Sequence, residues 1–222
     1  MNASSLDDRR RALSLVPVSR ETEERFAVYA ELLVRWQRVK NLVSPATLGE
    51  VWTRHLADSA QIVPLVPEAL RWADIGSGAG FPGLVVAILL ADHAGAHVDL
   101  VEANARKCAF LREAARACGA PATVHNGRIA DVLPELRSVD VLTARALAPL
   151  PDLLEMGKAL IESGTVAIFL KSLGEIGDVV DPSALLGPDY AARVLPSATS
   201  PDGRILVLRR SPPMPRKGPH HE

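Results

Sequence analysis

The chain has 222 residues, 48% of them hydrophobic and 23% charged, and its 25 basic and 26 acidic side chains leave a formal net charge of −1. The length fits one domain with a short extension, and the composition excludes a disordered chain. The charge balance excludes a protein that grips long duplex DNA by phosphate contacts alone, so a nucleic-acid partner must be met by a local basic patch.

Residues 1–18 read as a loose leader; Met1 to Arg11 is polar, with no apolar run of the kind a secretory signal needs. Residues 19–69 read as a helical cap. Ser19 is a suitable N-cap, and Glu21, Glu23 and Glu24 suit the positive end of a helix dipole. Phe26, Tyr29, Leu33 and Trp36 form one apolar stripe at helical spacing, with Arg35, Arg38 and Lys40 off it. Asn41 to Pro45 reads as a break, and a second helix is predicted from about Thr47 to Gln61.

From residue 70 short apolar runs alternate with helical segments. Strands are predicted at Arg71–Ile75, His97–Val101, Ala122–Asn126, Val139–Ala144, Val166–Leu170, Ala192–Pro196 and Ile205–Arg209. Helices are predicted at about Pro82–Ala91, Ala105–Cys118, Asp131–Leu136 and Pro151–Ile161. Such alternation means right-handed βαβ units and a mostly parallel sheet. Ser200-Pro201-Asp202-Gly203 is a turn signal that makes the last two strands an antiparallel hairpin. The fold class expected for residues 70–210 is therefore α/β, five parallel strands closed by an antiparallel hairpin, an arrangement that resembles the Rossmann-like seven-stranded methyltransferase sheet. Residues 211–222 are proline-rich and read as a disordered tail, in which His220 and His221 carry no assigned role. Cys108 and Cys118 match no zinc spacing, and a helix rise of about 1.5 Å per residue keeps them too far apart for a disulfide, so both are expected in the core. The longest apolar stretch, Leu84 to Ala91, is far short of the ~20 residues a membrane span needs, and a cytoplasmic monomer with no membrane contact is expected.

The strongest signal is Asp74-Ile75-Gly76-Ser77-Gly78-Ala79-Gly80-Phe81-Pro82-Gly83, between an apolar strand and an apolar helix. Gly76, Gly78 and Gly80 allow a tight turn and close approach to a ligand. Gly78, Gly80 and Gly83 also satisfy the dinucleotide pattern, but the acid ahead of the loop decides against it. Asp74 suits the ammonium of S-adenosylmethionine and would repel a pyrophosphate. Glu102, at the end of the next strand, stands at the usual interval for a side chain that binds ribose hydroxyls. Neither Tyr29 nor Tyr190 has the Lys four residues on that a dehydrogenase reading wants. The loop Gly127-Arg128-Ile129-Ala130-Asp131 follows the third strand, where backbone amides commonly meet adenine. Thr143-Ala144-Arg145-Ala146 follows the fourth, in place of the Pro-Pro-aromatic motif of many amino-methylating enzymes. Arg145 there borders the ligand crevice of an open α/β sheet, or else forms a surface salt bridge.

Together these motifs resemble the 16S rRNA guanine-N7 methyltransferases once called glucose-inhibited division protein B. The resemblance is carried by Asn41-Leu42, Arg54-His55-Leu56-Ala57-Asp58-Ser59, the Asp74–Gly83 loop, Lys107-Cys108-Ala109-Phe110-Leu111, Gly127-Arg128 and Arg145-Ala146-Leu147-Ala148 with Leu150, and runs from about Phe26 to Arg209. It implies S-adenosylmethionine as cofactor and 16S rRNA or the small ribosomal subunit as partner. It implies that Gly76 and Phe81 touch the cofactor, that Ile129 and Ala130 do so through backbone amides, and that Arg145 borders the methyl-transfer site. The family usually has an acid where Ala130 stands, and here the acid is Asp131. His55 and Asp58 are expected to hydrogen-bond the cap to the core. N7 carries no proton, so no catalytic acid, base or metal is expected; Arg145 is expected to bind the cofactor and to position the reacting groups. RNA backbone contact is expected from Arg35, Arg38, Lys40, Arg54, Arg128 and Lys171. The rival readings are a small-molecule S-adenosylmethionine-dependent methyltransferase and a non-catalytic binding module.

Overall fold

A computed structural model describes residues 3–38, 42–176, 187 and 189–211. Lys40, Asn41 and the histidines of the tail lie outside them. Seven strands form one sheet: β1 (Arg71–Ile75), β2 (His97–Glu102), β3 (Ala122–Asn126), β4 (Val141–Arg145), β5 (Val166–Ser172), β6 (Tyr190–Pro196) and β7 (Gly203–Arg210). Their order is β3-β2-β1-β4-β5-β7-β6, with β1 to β5 parallel and β7 antiparallel to both β5 and β6. The Rossmann-like sheet and the closing hairpin are as the sequence predicts.

Central strands buried on both faces need mostly apolar residues, and β1, β4 and β5 supply them apart from the buried Asp74, Thr143 and Lys171. Successive residues serve opposite sides. Trp72, Val141, Ile168 and Leu170 join a core with α2 (Arg20–Gln37), α4 (Gly83–Leu89) and α5 (Ala105–Cys118), whereas Ala73, Leu142, Ala144 and Phe169 join one with α7 (Leu150–Glu162). Ser19 caps α2 by accepting from the Thr22 amide, and Asn104 caps α5 from Arg106 and Lys107. Cys108 and Cys118 are buried free thiols.

One expectation for the leader and one for the cap fail. The leader is not loose: α1 (Ala3–Leu15) buries Ala12, and the Asp8 carboxylate accepts from the amides of Trp52 and Thr53 at 2.8 and 3.2 Å. Arg9 pairs with Glu23 at 2.7 Å and lies over the Trp52 ring. These tertiary contacts order a stretch too polar to show an apolar period. The second helix is irregular, a 3-10 stretch (Pro45–Glu50), a π-helical turn (Trp52–Ala57) and a single α turn, α3 (Asp58–Ala60). Its Arg54 carbonyl accepts a hydrogen bond from Arg145, a side chain reaching into the helix of the kind that accompanies such wide turns. The helix expected at Asp131–Leu136 is the short α6 (Ile129–Val132) followed by a 3-10 turn, Leu133–Glu135. The fourth strand begins two residues later than expected and takes in Arg145.

Candidate functional site

The strand order reverses between β1 and β4, the position where open α/β sheets bind ligands beyond the carboxyl ends of their strands. Asp74 lies opposite Thr143 in that parallel pair, so two residues further on Gly76 and Arg145 emerge side by side at the same edge. The glycine loop leaves β1 with Gly76, Gly78 and Gly80 at φ of 69°, 58° and 97°, the left-handed region a side chain resists. A Cβ on Gly76 would lie 2.5 Å from Leu147, so the residue keeps room for that neighbour.

The two acids brace this loop. Glu102 is 9% exposed, and its carboxylate accepts from the amides of Gly78 at 2.9 Å and Asn104 at 2.8 Å. Each of its oxygens retains a lone pair for a ligand hydroxyl. Asp74 is fully buried beneath the loop; Oδ2 accepts from the Gly83 amide at 3.1 Å, and Oδ1 has no partner. Burial pushes its pKa up to about 7, against the lowering pull of Ser77 and Gly83. An orphaned buried carboxylate oxygen below a glycine cradle fits an ammonium-bearing ligand, so the residues present suit S-adenosylmethionine. Ile129 and Ala130 begin α6, where helix geometry leaves their amides without intrahelical acceptors. The Gly127 amide binds the Glu102 carbonyl, which brings this loop to the end of β2.

Phe81 departs from expectation. It is 4% exposed, stacks on His55 at 4.8 Å and meets the tilted Tyr29 ring at 5.4 Å, with the Arg145 guanidinium 4.9 Å over its face. Its surface is taken by protein, so it supports the loop from below. Tyr29 donates to the Ala79 carbonyl, a loop-holding role that its place in an apolar stripe did not reveal.

Arg145 is no surface salt bridge, with only 18% of its side chain exposed. It donates to the Arg54 carbonyl at 3.1 Å, His55 Nδ1 at 3.0 Å and Asp58 Oδ2 at 3.4 Å. Because a guanidinium only donates, His55 Nδ1 accepts, and the ring proton sits on Nε2, which donates to Thr47 Oγ1 at 2.9 Å. Burial, then Arg145 and Arg54, lower the His55 pKa to about 3, so the imidazole is neutral. Burial also lowers the pKa of Arg145, opposed by Asp58. His55 and Asp58 thus do join cap to core, and they do it through Arg145.

Beyond Arg145 opens a pocket of about 380 Å³ where the basic Arg54, Arg145, Lys171 and Arg204 face Asp58, Glu175 and Asp202. Of the residues expected at RNA, Arg38, Arg54 and Arg128 are exposed, and Arg35 is exposed but paired with Glu113 at 2.9 Å. Lys171 is not available: its side chain is 1% exposed, donating to the Ala148 carbonyl and to Glu175 Oε1 at 3.2 Å. It fastens the loop after β4 to the end of β5. The sequence showed a basic residue there but not the carbonyl it would meet.

These features define a Rossmann-like methyltransferase fold. Two solved structures share it: the O-methyltransferase from Bacillus cereus in complex with SAH (TM-score 0.58, 18% identity, covering 91% of this chain and 96% of that one) and a methyltransferase from Geobacter sulfurreducens (TM-score 0.57, 14% identity, 83% and 89%). The model of the family rRNA small subunit methyltransferase G, or GidB, matches residues 22–179. The ribosomal RNA small subunit methyltransferase G of Methylorubrum populi is 48% identical over 202 residues, 91% of this chain and 95% of that protein. That of Nitrobacter hamburgensis is 52% identical over 207 residues, 93% and 79%. The chain belongs to the rRNA small subunit methyltransferase G family.

Proposed function

We propose that the chain transfers a methyl group from S-adenosylmethionine to N7 of one guanine in the 16S rRNA of the small ribosomal subunit. The observation that carries this reading is the place of Arg145: its guanidinium rests on Phe81 of the glycine loop while its side chain lines the mixed-charge pocket beyond β4. S-adenosylmethionine, when bound, supplies an electrophilic methyl group on a sulfonium. Asp74 Oδ1 would take its ammonium, Glu102 its ribose hydroxyls, and the Ile129 and Ala130 amides its adenine. Guanine N7 presents a lone pair in the ring plane and holds no proton, so its methylation needs no general base. Arg145 only donates, and the Nδ1 lone pair of neutral His55 is already taken by Arg145. The chain therefore contributes alignment and electrostatics.

Exposed Arg38, Arg54 and Arg128 would meet RNA phosphates, and the folded RNA of a subunit suits such a scattered set better than a long duplex does. A single chain holds every group named, so the active form is read as a monomer. Among the described residues no helix is long and apolar enough to cross a membrane, in keeping with work in the cytoplasm, where ribosomes are. Small subunits from a strain lacking this protein should gain one methyl group when given the protein and labelled S-adenosylmethionine, and mass mapping should place it on a guanine at N7. Methylation of a small molecule with none on the subunit would favour the rival reading.

A further inference from the structure

Asp58 lines the pocket but has no part in the function just proposed, and its two carboxylate oxygens face different elements. Oδ2 is the one that meets Arg145. Oδ1 accepts from Thr199 Oγ1 at 2.7 Å, Ser197 Oγ at 3.1 Å and Gln61 Nε2 at 2.9 Å. Ser197 and Thr199 belong to the turn between β6 and β7; their hydroxyls lie 2.9 Å apart, and the Gln61 amide binds Ser197 as well. Thr199 is 5% exposed. Donors converging on one oxygen fix the plane of a carboxylate, and so fix the direction of the other oxygen. Of the groups around the guanidinium, the Arg54 carbonyl, the neutral His55 ring and the Phe81 face carry no charge. Asp58 alone among them is an anion and reaches the hairpin.

We propose that Asp58 is a positioning residue for methyl transfer: it holds Arg145 in its working direction through hydrogen bonds that begin on the β6–β7 turn. The proposal rests on Arg145 serving the reaction as set out above. The turn also lines the pocket, through Thr199, Ser200 and Asp202, so what fills the pocket bears on the aim of the arginine.

The test is turnover on unmethylated small subunits at saturating S-adenosylmethionine, with cofactor affinity from calorimetry. Asp58→Asn should lower kcat about tenfold, the loss expected for one well-placed charge-assisted hydrogen bond, with the cofactor dissociation constant unchanged. Thr199→Val should lower kcat less, about threefold, and Thr199→Ser, which keeps the hydroxyl, should return most of it. The double variant Asp58→Asn/Arg145→Ala should be no slower than Arg145→Ala alone, because Asp58 acts only through the arginine. Wild-type kcat in Asp58→Asn, or losses that multiply in the double variant, would overturn the proposal and leave the methyltransferase reading standing. Wild-type protein that leaves subunits unmethylated would overturn both. Should Asp58→Asn fail to fold, the Thr199 pair decides: equal rates in Val and Ser variants sink the idea.

Discussion

A guanidinium with little exposed surface keeps its field on whatever enters beside it, so removing Arg145 should cost more in rate than in stability. Arg145→Ala is expected to lower turnover on small subunits by about two to three decades, the range for losing one preorganised charge in a water-poor site. Asp58 keeps Thr199, Ser197 and Gln61 as donors in that variant, but the Arg54 carbonyl and His55 Nδ1 lose theirs, so the unfolding free energy should fall by about 1–3 kcal/mol. Arg145→Lys keeps the charge but cannot reach His55, Asp58 and the Arg54 carbonyl together, and should recover only part of the rate. Wild-type turnover in the alanine variant would remove Arg145 from the site. Gly83 gives the opposite signature. A Cβ there would lie 2.5 Å from the Asp74 Cβ and 2.6 Å from Oδ2, both in a fully buried side chain, so Gly83→Ala should cost about 1–3 kcal/mol in urea unfolding. Arg145, Asp74 and Glu102 were legible because each sits at a fixed offset from a strand end or a glycine run. Tyr29 and Thr199 were not. A hydroxyl in an apolar stripe or a turn reads as ordinary until the fold shows which oxygen it faces.

Elements with a strong period were legible nearly to the residue, as β1 and β3 show, since hydrophobic alternation and turn residues fix a strand before any tertiary contact. Elements held by single polar contacts were not. The π-helical turn owes its shape partly to an arginine from β4, and α1 is tied down by Asp8, which no local pattern marks. Asp8→Ala should therefore cost about 1 kcal/mol, the usual worth of a cap, and loosen α1 in hydrogen exchange while β1 stays protected. The loop after β4 depends on Lys171 in the same way. Ala146 takes φ of 51°, uncommon for a residue other than glycine, and turns the chain so that Leu147 covers Gly76 and the Ala148 carbonyl meets Lys171. Replacing a buried lysine strands that carbonyl, so Lys171→Ala should lower stability by about 1–3 kcal/mol, while Arg128→Ala stays within about 0.5 kcal/mol. The two should invert on RNA: Arg128→Ala weakens subunit binding in a salt-dependent way, and Lys171→Ala, measured below its melting range, leaves the salt slope unchanged. A reduced slope for Lys171→Ala would restore it to the RNA surface.

For the molecule as a whole, Asp74 and His55 pull the pH dependence of stability in opposite directions. Asp74 has a folded pKa raised to about 7, so its contribution is full below its unfolded value near 4 and is lost as pH rises towards 7. His55 has a folded pKa lowered to about 3, so its contribution is full above its unfolded value near 6.5 and is lost as pH falls towards 3. Between about pH 4 and 6.5 the two slopes oppose each other. Each variant should uncover the other group. Relative to wild type, Asp74→Asn should gain stability from pH 4 to 7, and His55→Gln should lose less than wild type as pH falls below 6.5. Urea midpoints across that range measure both. A difference curve for Asp74→Asn flat with pH would show that the carboxyl is ionised throughout. The same proton then reports on the ligand. An ammonium placed at Asp74 Oδ1 favours the carboxylate, so S-adenosylmethionine binding at about pH 6 should release close to one proton, and at about pH 8 almost none. Calorimetry in buffers of different ionisation enthalpy counts it directly, with NAD, which should not bind, as the control. Tight cofactor binding with no proton released at the lower pH would take Asp74 out of the ammonium site and leave it a brace for the glycine loop through Gly83.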